Sequence, residues 1–217
     1  MIHGVGDSNH SINDFCKIHE QPTLISDLSL TEDELLKRIK KNTKYEIRRA
    51  EKEGIVVNFY GASEITPDLL GQFKENYESM YASKGMKRSF NMDLVKAYIE
   101  KDMIYFSIAY YNEEPLVFHS YIVDSYHVRF FYSCSPFRSE PDIANLIGRM
   151  NRYLHWQDFM QFKKMGIVEY DWGGINSIDE PNSIAQFKFA FGGHPVIRYN
   201  YIIGRGLIGK LLVKYKF

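Results

Sequence analysis

Between Gly166 and Gly193 the chain reads GIVEYDWGGINSIDEPNSIAQFKFAFGG. Three features of this stretch can do chemistry: the carboxylate of Asp171, the glycine pair Gly173 and Gly174, and the lone lysine Lys188. Ile167 to Trp172 alternates and stops at the glycines, which predicts a strand whose C-terminal end opens onto a surface. From Ser183, the residues Ile184, Phe187 and Phe191 with Ala185 and Ala190 predict a short helix that Gly192 and Gly193 close. With Ile184, Phe187 and Phe191 facing the core, Lys188 leaves that face at about 100° and is expected to reach the strand end at Asp171. Ligands of open α/β sheets bind outside the carboxyl ends of strands, and a cation held there can steady developing negative charge. His119, Asp171 and Glu169 are the candidate bases. His119 lies in the apolar run Val117-Phe118-His119-Ser120-Tyr121, where a histidine is more often a hydrogen-bonded core residue.

The two pieces YDWGG (Tyr170 to Gly174) and FKFAFGG (Phe187 to Gly193) resemble the C-terminal signature of the Fem-type transferases and related single-domain acyltransferases of the GNAT (N-acetyltransferase) superfamily. Lys188 matches the lysine of the Fem-type FK motif, which the resemblance implies stabilises charge during transfer. Asp171 and His119 complete the catalytic expectation. The segment KKNTKYEIRRAEKEG is similar to the basic helix that lies by the acceptor in the Fem-related group. By that likeness Lys41, Asn42, Lys44, Tyr45 and Arg48, with Trp172 and Gly173, are the expected substrate contacts. In GNAT proteins the fourth core strand splays from the fifth and holds the pantetheine arm and thioester oxygen. Those strands would be His127–Cys134 and Ile167–Trp172, making Tyr132, Ser133, Cys134, Arg138 and Phe187 the expected cofactor contacts. The stretch SPFRSEP, Ser135 to Pro141, departs from the family by lacking the glycine-rich turn that seats the coenzyme A diphosphate. Arg138 and the capped helix start would have to replace that turn.

The positioning elements follow from punctuation and period. Residues 1–13 read as a loose lead-in, and Phe15 to Leu28 as a short edge strand interrupted by Pro22. Thr31 with Glu34 forms a capping box for one helix, apolar at Leu35, Leu36, Ile39, Ile47 and Ala50, that runs to Gly54. Its opposite face carries Lys37, Lys41, Lys44, Arg48 and Lys52. A strand over Ile55–Tyr60 follows, then a helix from Thr66-Pro67 to about Ser83 and one from Asn91 to about Lys101. Strands at Met103–Tyr111, Leu116–Asp124 and His127–Cys134 come next. Ser139 with Asp142 caps a long helix to about Met165, and a strand over Val196–Ile203 precedes a basic amphipathic tail. From Ile55 the order is β-α-α-β-β-β-α-β-α-β, a mixed α/β fold in the GNAT order. One domain over 1–217 is expected, with an extension at 1–53, a core at 54–204 and a tail at 205–217.

Composition bounds the rest. Hydrophobic residues at 45% and aromatics at 15% exclude disorder. Lys plus Arg and Asp plus Glu stand at 27 each, so no global field favours DNA or a membrane surface. Most of the 16 tyrosines are explained by strand edges and core. Cys16 and Cys134 sit in no metal-like spacing, and no span or leader pattern is visible, which places the chain in the cytoplasm. Cys134 reads as a small core residue. No metal and no tightly bound cofactor are expected. The leading expectation is acyl transfer from acyl-CoA, as co-substrate, to the amine of a nucleotide-linked amino sugar for surface polysaccharide; homo-oligomerisation is left open. Alternatives are a Fem-like transfer of amino acids onto a peptidoglycan precursor, which carries two such units and a transfer-RNA arm in the family, and a non-catalytic anion- or RNA-binding module.

Overall fold

The computed structural model describes residues 2–6, 16–204 and 206–215. In chain order the first elements are strands β1 (Ile2–Gly6) and β2 (Cys16–Asp27), helices α1 (Glu32–Arg38) and α2 (Lys41–Lys52), and strand β3 (Val56–Gly61). Helices α3 (Pro67–Ala82) and α4 (Met92–Glu100) lead into strands β4 (Ile104–Tyr111), β5 (Glu114–Val123) and β6 (His127–Cys134). Helix α5 (Ala144–Lys164), strand β7 (Glu169–Asp171), helix α6 (Ser183–Phe189), strand β8 (His194–Ile203) and helix α7 (Gly206–Tyr215) complete the chain. From β3 onward this is the α/β order expected from the sequence. The described residues group into two compact units.

The larger unit comprises Ser26–Asp171 with Ala190–Gly192. Its strands run in the order β7-β6-β5-β4-β3, antiparallel from β3 to β6 and parallel between β6 and β7. The pleat sends alternate side chains to opposite faces. Phe106, Ile108 and Phe118 pack with Phe73 and Tyr77 of α3 and Val95 of α4. The intervening Ala109 and Val117 pack with Ala50 of α2 and Ile147, Met150 and Leu154 of α5. His119 and Tyr121 therefore fall on the α5 face by parity alone. Helix starts follow the predicted caps: Thr31 and Glu34 exchange the capping-box bonds, Thr66 accepts from the Leu69 N–H, and Asn91 accepts from the Leu94 N–H.

Four local expectations are corrected. The single basic helix is two, because Ile39 is extended at φ −70°, ψ 135° and the Lys40 N–H donates to the Ala190 carbonyl at 2.9 Å instead of continuing the helical ladder. Lys37 therefore sits on a different helix from Lys41 to Lys52. The Ser139 cap is also absent: Ser139 Oγ donates to the Pro136 carbonyl, a 3₁₀ turn occupies Pro141–Ile143, and α5 starts without a side-chain cap. Ile2–Gly6 of the lead-in is a strand, and the rest of that reading, 7–13, lies outside the described residues. Pro22 does not interrupt β2, which pairs with β8 on both sides of it. Phe15 and Arg205 lie outside the described residues, and 206–215 of the tail is helical.

The smaller unit comprises the described residues of Met1–Ile25, Trp172–Phe189 and Gly193–Phe217. Within it β8 is antiparallel to both β1 and β2. Among the described residues no helix is long and apolar enough to cross a membrane.

Helix α2 is fastened to α5 through Glu53, its C-cap residue. Arg149 donates to both carboxylate oxygens, Nε to Oε2 at 2.7 Å and Nη2 to Oε1 at 2.9 Å, and Arg49 Nε adds a third bond at 2.9 Å. Burial pushes the Glu53 carboxyl up, but the bonds and charges of Arg149 and then Arg49 bring it below its ordinary 4.5. A carboxyl lowered on folding stabilises above its unfolded pKa, and that contribution is lost as pH falls through the folded value. Glu53→Gln should cost about 1.5–3 kcal/mol at pH 7, the worth of charged hydrogen bonds. Urea unfolding against pH should show the wild type losing stability below pH 4.5 more steeply than the variant; parallel curves would contradict this role.

Candidate functional site

In the smaller unit, the chain leaves Trp172 through two left-handed residues, Gly173 at φ 74° and Gly174 at φ 99°. That backbone is open to glycine and strained for side chains. The turn is pinned from two sides. Thr23 Oγ1 accepts from the Gly174 N–H at 3.0 Å, while the Trp172 N–H and the Ile175 N–H donate to the Leu24 and Pro22 carbonyls. Lys188 then donates from its ammonium to the Trp172 and Gly174 carbonyls, at 2.6 Å each. Helix α6, capped by Asn182 accepting from the Ala185 N–H, turns Ala185 and Lys188 inward and leaves Ile184 64% exposed. The expected helix face is thus corrected: the lysine, not Ile184, is the buried residue. A buried ammonium satisfied by backbone carbonyls is a preorganised cation whose position is set by the turn it holds.

In the larger unit, the parallel β6/β7 pairing lasts three rungs and ends at Arg129↔Asp171. Asp171 is buried, and Arg129 Nη1 lies 3.7 Å from its Oδ2. Beyond that rung, among the described residues, Tyr132, Ser133 and Cys134 are strand-paired with β5 alone. Tyr132 packs against Tyr77 and Phe90 and is half-buried, as are Ser133 and, in the smaller unit, Phe187. Cys134 is buried, and burial pushes its thiol well above the ordinary range, which suits a core residue and not a nucleophile. Arg138 is exposed.

On α2, Lys41, Asn42, Arg48 and Lys52 are exposed, Tyr45 is 60% exposed, and Lys44 is half-buried, while Thr43, Ile47 and Ala50 form the inward face. The FGG end of the motif explains why α2 is separate from α1. A Cβ on Gly192, which sits at φ 81°, would come within 2.5 Å of the Arg38 carbonyl oxygen. Only glycine lets this segment lie against the helix break, where Ala190 receives the Lys40 N–H. Trp172, expected to touch substrate, is fully buried, and Gly173 is half-buried. Glu169 faces His127, with Nε2 at 3.5 Å.

His119 is fully buried and joins a chain of polar groups beneath β5 to β7. Its Nδ1 lies 2.9 Å from Asp158 Oδ2 and its Nε2 2.8 Å from Asn151 Oδ1. Tyr121 donates to the same Asp158 oxygen at 2.5 Å and meets the Tyr170 hydroxyl at 2.9 Å, which in turn lies 3.0 Å from His155 Nδ1. Burial, then the Asp158 charge, pushes both phenols well up, so they stay protonated and can donate. His119 is therefore a core residue with no exposed edge. Asn151, His155 and Asp158 belong to no motif, yet they fall at i, i+4 and i+7 on the stripe otherwise filled by Ile147, Leu154 and Phe162. Polar residues at core positions of a helix are the signal that could have found them.

A model of the FemAB family matches residues 16–117. The match covers α1 and α2 and ends before the WGG and FKFAFGG pieces. No curated protein matches the chain in sequence. Among solved structures, FemX aligns at 13% identity with TM-score 0.66, over 88% of this chain and 64% of that one. The C-terminal domain of a protein from Agrobacterium fabrum classed as a lysylphosphatidylglycerol synthetase aligns at 12% identity and TM-score 0.62, over 92% and 65%. L-PGS from Bacillus licheniformis aligns at 12% and TM-score 0.58, over 93% and 66%. The chain thus spans just under two thirds of the length of these structures. At these identities the likeness establishes a shared fold, and together with the family match it upholds the resemblance to the Fem-type group.

The Lys188 tether has a measurable stability consequence. Lys188→Met keeps the bulk of the side chain and leaves two carbonyls without their charged donor, which should cost about 1.5–3 kcal/mol. Urea unfolding of the variant reads it; a change under about 0.5 kcal/mol, the surface norm, would mean that the ammonium does not hold the turn.

Proposed function

We propose that the chain is a Fem-like aminoacyltransferase, which moves an aminoacyl group from aminoacyl-tRNA to the amine of an acceptor of the peptidoglycan-precursor class. The observation that carries this reading is the FemAB match over residues 16–117, which takes in the basic helix α2. The fold likeness to FemX supports it. Fem-type transferases draw on aminoacyl-tRNA, and the exposed Lys41, Arg48 and Lys52 suit phosphate-bearing substrates.

In this reaction a neutral amine attacks the ester carbonyl, a tetrahedral oxyanion forms, and the ribose hydroxyl leaves with a proton as the amide is completed. Lys188 is the proposed cation for that oxyanion. It is buried, and its position is fixed by the two carbonyls it holds, so it need not reorganise as charge develops. Coenzyme A is the less favoured donor. A diphosphate seat uses exposed N–H groups at a glycine turn and a capped helix start, whereas Ser135–Glu140 has no glycine and α5 is preceded by a 3₁₀ turn. Acyl transfer from a CoA thioester to a nucleotide-linked amino sugar is the competing reading, supported by a β6/β7 pairing that ends at Arg129↔Asp171 and leaves Tyr132, Ser133 and Cys134 paired with β5 alone among the described residues.

Two measurements test the proposal. Incubation with charged tRNA and a lipid- or nucleotide-linked muropeptide should give an amide product by mass spectrometry. Thiol release from short acyl-CoAs in the presence of nucleotide-linked amino sugars, with no transfer from tRNA, would replace this reading by the other. In addition, Arg48→Ala and Lys41→Ala should each weaken tRNA binding and reduce the slope of log affinity against log salt by roughly one. An unchanged slope would leave α2 as a solvated face.

A further inference from the structure

The polar cluster under β5 to β7 is not used by the proposed reaction, and it has the composition of a ligand set. His155 and Asp158 lie three apart on α5, which puts them on one face, and the β5 pleat turns His119 toward them. One ligand atom from each of the three lies within 4.8 Å of the others, and all three side chains are buried. Each is also held from behind. Asn151 meets His119 Nε2, Tyr170 meets His155 Nδ1, and Tyr121 meets Asp158 Oδ2, which is how outer partners orient metal-binding imidazoles and carboxylates.

The carboxylate of Asp158 is the second observation. It is fully buried, its Oδ2 lies 2.9 Å from His119 Nδ1, and its Oδ1 has no hydrogen-bond partner among the described residues. A buried carboxylate oxygen without a donor is costly, and a cation bound beside it would offset that cost. We propose that His119, His155 and Asp158 bind a divalent transition-metal ion of the zinc class. Two imidazoles and a carboxylate match the donor preference of that class. Zinc bonds of ~2.0–2.1 Å place tetrahedral ligands roughly 3.3 Å apart, so the His119–Asp158 pair would open by a few tenths of an ångström. Such an ion would cross-link β5 to α5 in the core of the larger unit.

The test uses the tag-free full chain. Elemental analysis after purification from zinc-supplemented medium should give about one zinc per chain, and cobalt substitution should give visible d–d absorption of a tetrahedral site. Dipicolinate should lower the melting temperature and added zinc restore it by mass action. Asp158→Asn preserves shape and should reduce metal content or affinity at least tenfold, whereas a His127→Ala, His194→Ala control should not. If Asp158→Asn does not fold, the chelation and restoration of the wild type decide. Less than ~0.1 zinc per chain, with a melting temperature unmoved by chelator or zinc, would overturn the proposal and make the cluster a self-contained hydrogen-bonded core.

Discussion

The contact on which the smaller unit depends most is the ammonium of Lys188 between the Trp172 and Gly174 carbonyls. The WGG turn has two successive left-handed residues and no regular ladder of its own. Its shape is imposed by the β2 carbonyls and Thr23 on one side and by Lys188 on the other. A lysine that loses its water to burial needs carbonyl acceptors, and a turn with inward carbonyls needs a donor. Each therefore fixes the other, and helix α6 is placed by the same contact.

A second constraint of the same kind shapes the larger unit. The approach of Gly192 to the Arg38 carbonyl, and the Ala190 carbonyl that takes the Lys40 N–H, break what would be one helix into two. Helix α2 then has its own axis, fastened to α5 by the fork of Arg149 on Glu53. Its cations face solvent because Thr43, Ile47 and Ala50 take the inward positions. The basic surface and the glycine motif, far apart in sequence, are thus parts of one local arrangement.

Much of this was legible in the sequence. Caps at Thr31, Thr66 and Asn91 and the alternation of β4 to β6 come from local chemistry, and local chemistry is what a sequence displays. The break at Ile39 was not legible, since the residues around it are good helix formers and the competing acceptor arrives from Ala190, some 150 positions later. Lys188 was placed in the right helix but on the wrong face. Hydrophobic period assigns Ile184 inward, and only the paired carbonyls of Trp172 and Gly174 make burying a lysine favourable instead. His119 was expected among the catalytic residues, with a hydrogen-bonded core role as the alternative; it is fully buried, and its partners Asn151 and Asp158 stand on the apolar stripe of α5, where no motif marks them.

In the larger unit a basic helix is exposed, and the smaller unit holds a cation fixed at a glycine turn. The proposed aminoacyl transfer assigns the helix to a phosphate-rich donor. Hydrogen-exchange mass spectrometry with a non-hydrolysable aminoacyl-RNA analogue tests this most directly. The proposed donor predicts slowed exchange in the Lys41–Lys52 helix, with acyl-CoA giving no comparable effect. Protection confined to residues 135–148 and produced by acyl-CoA alone would contradict it.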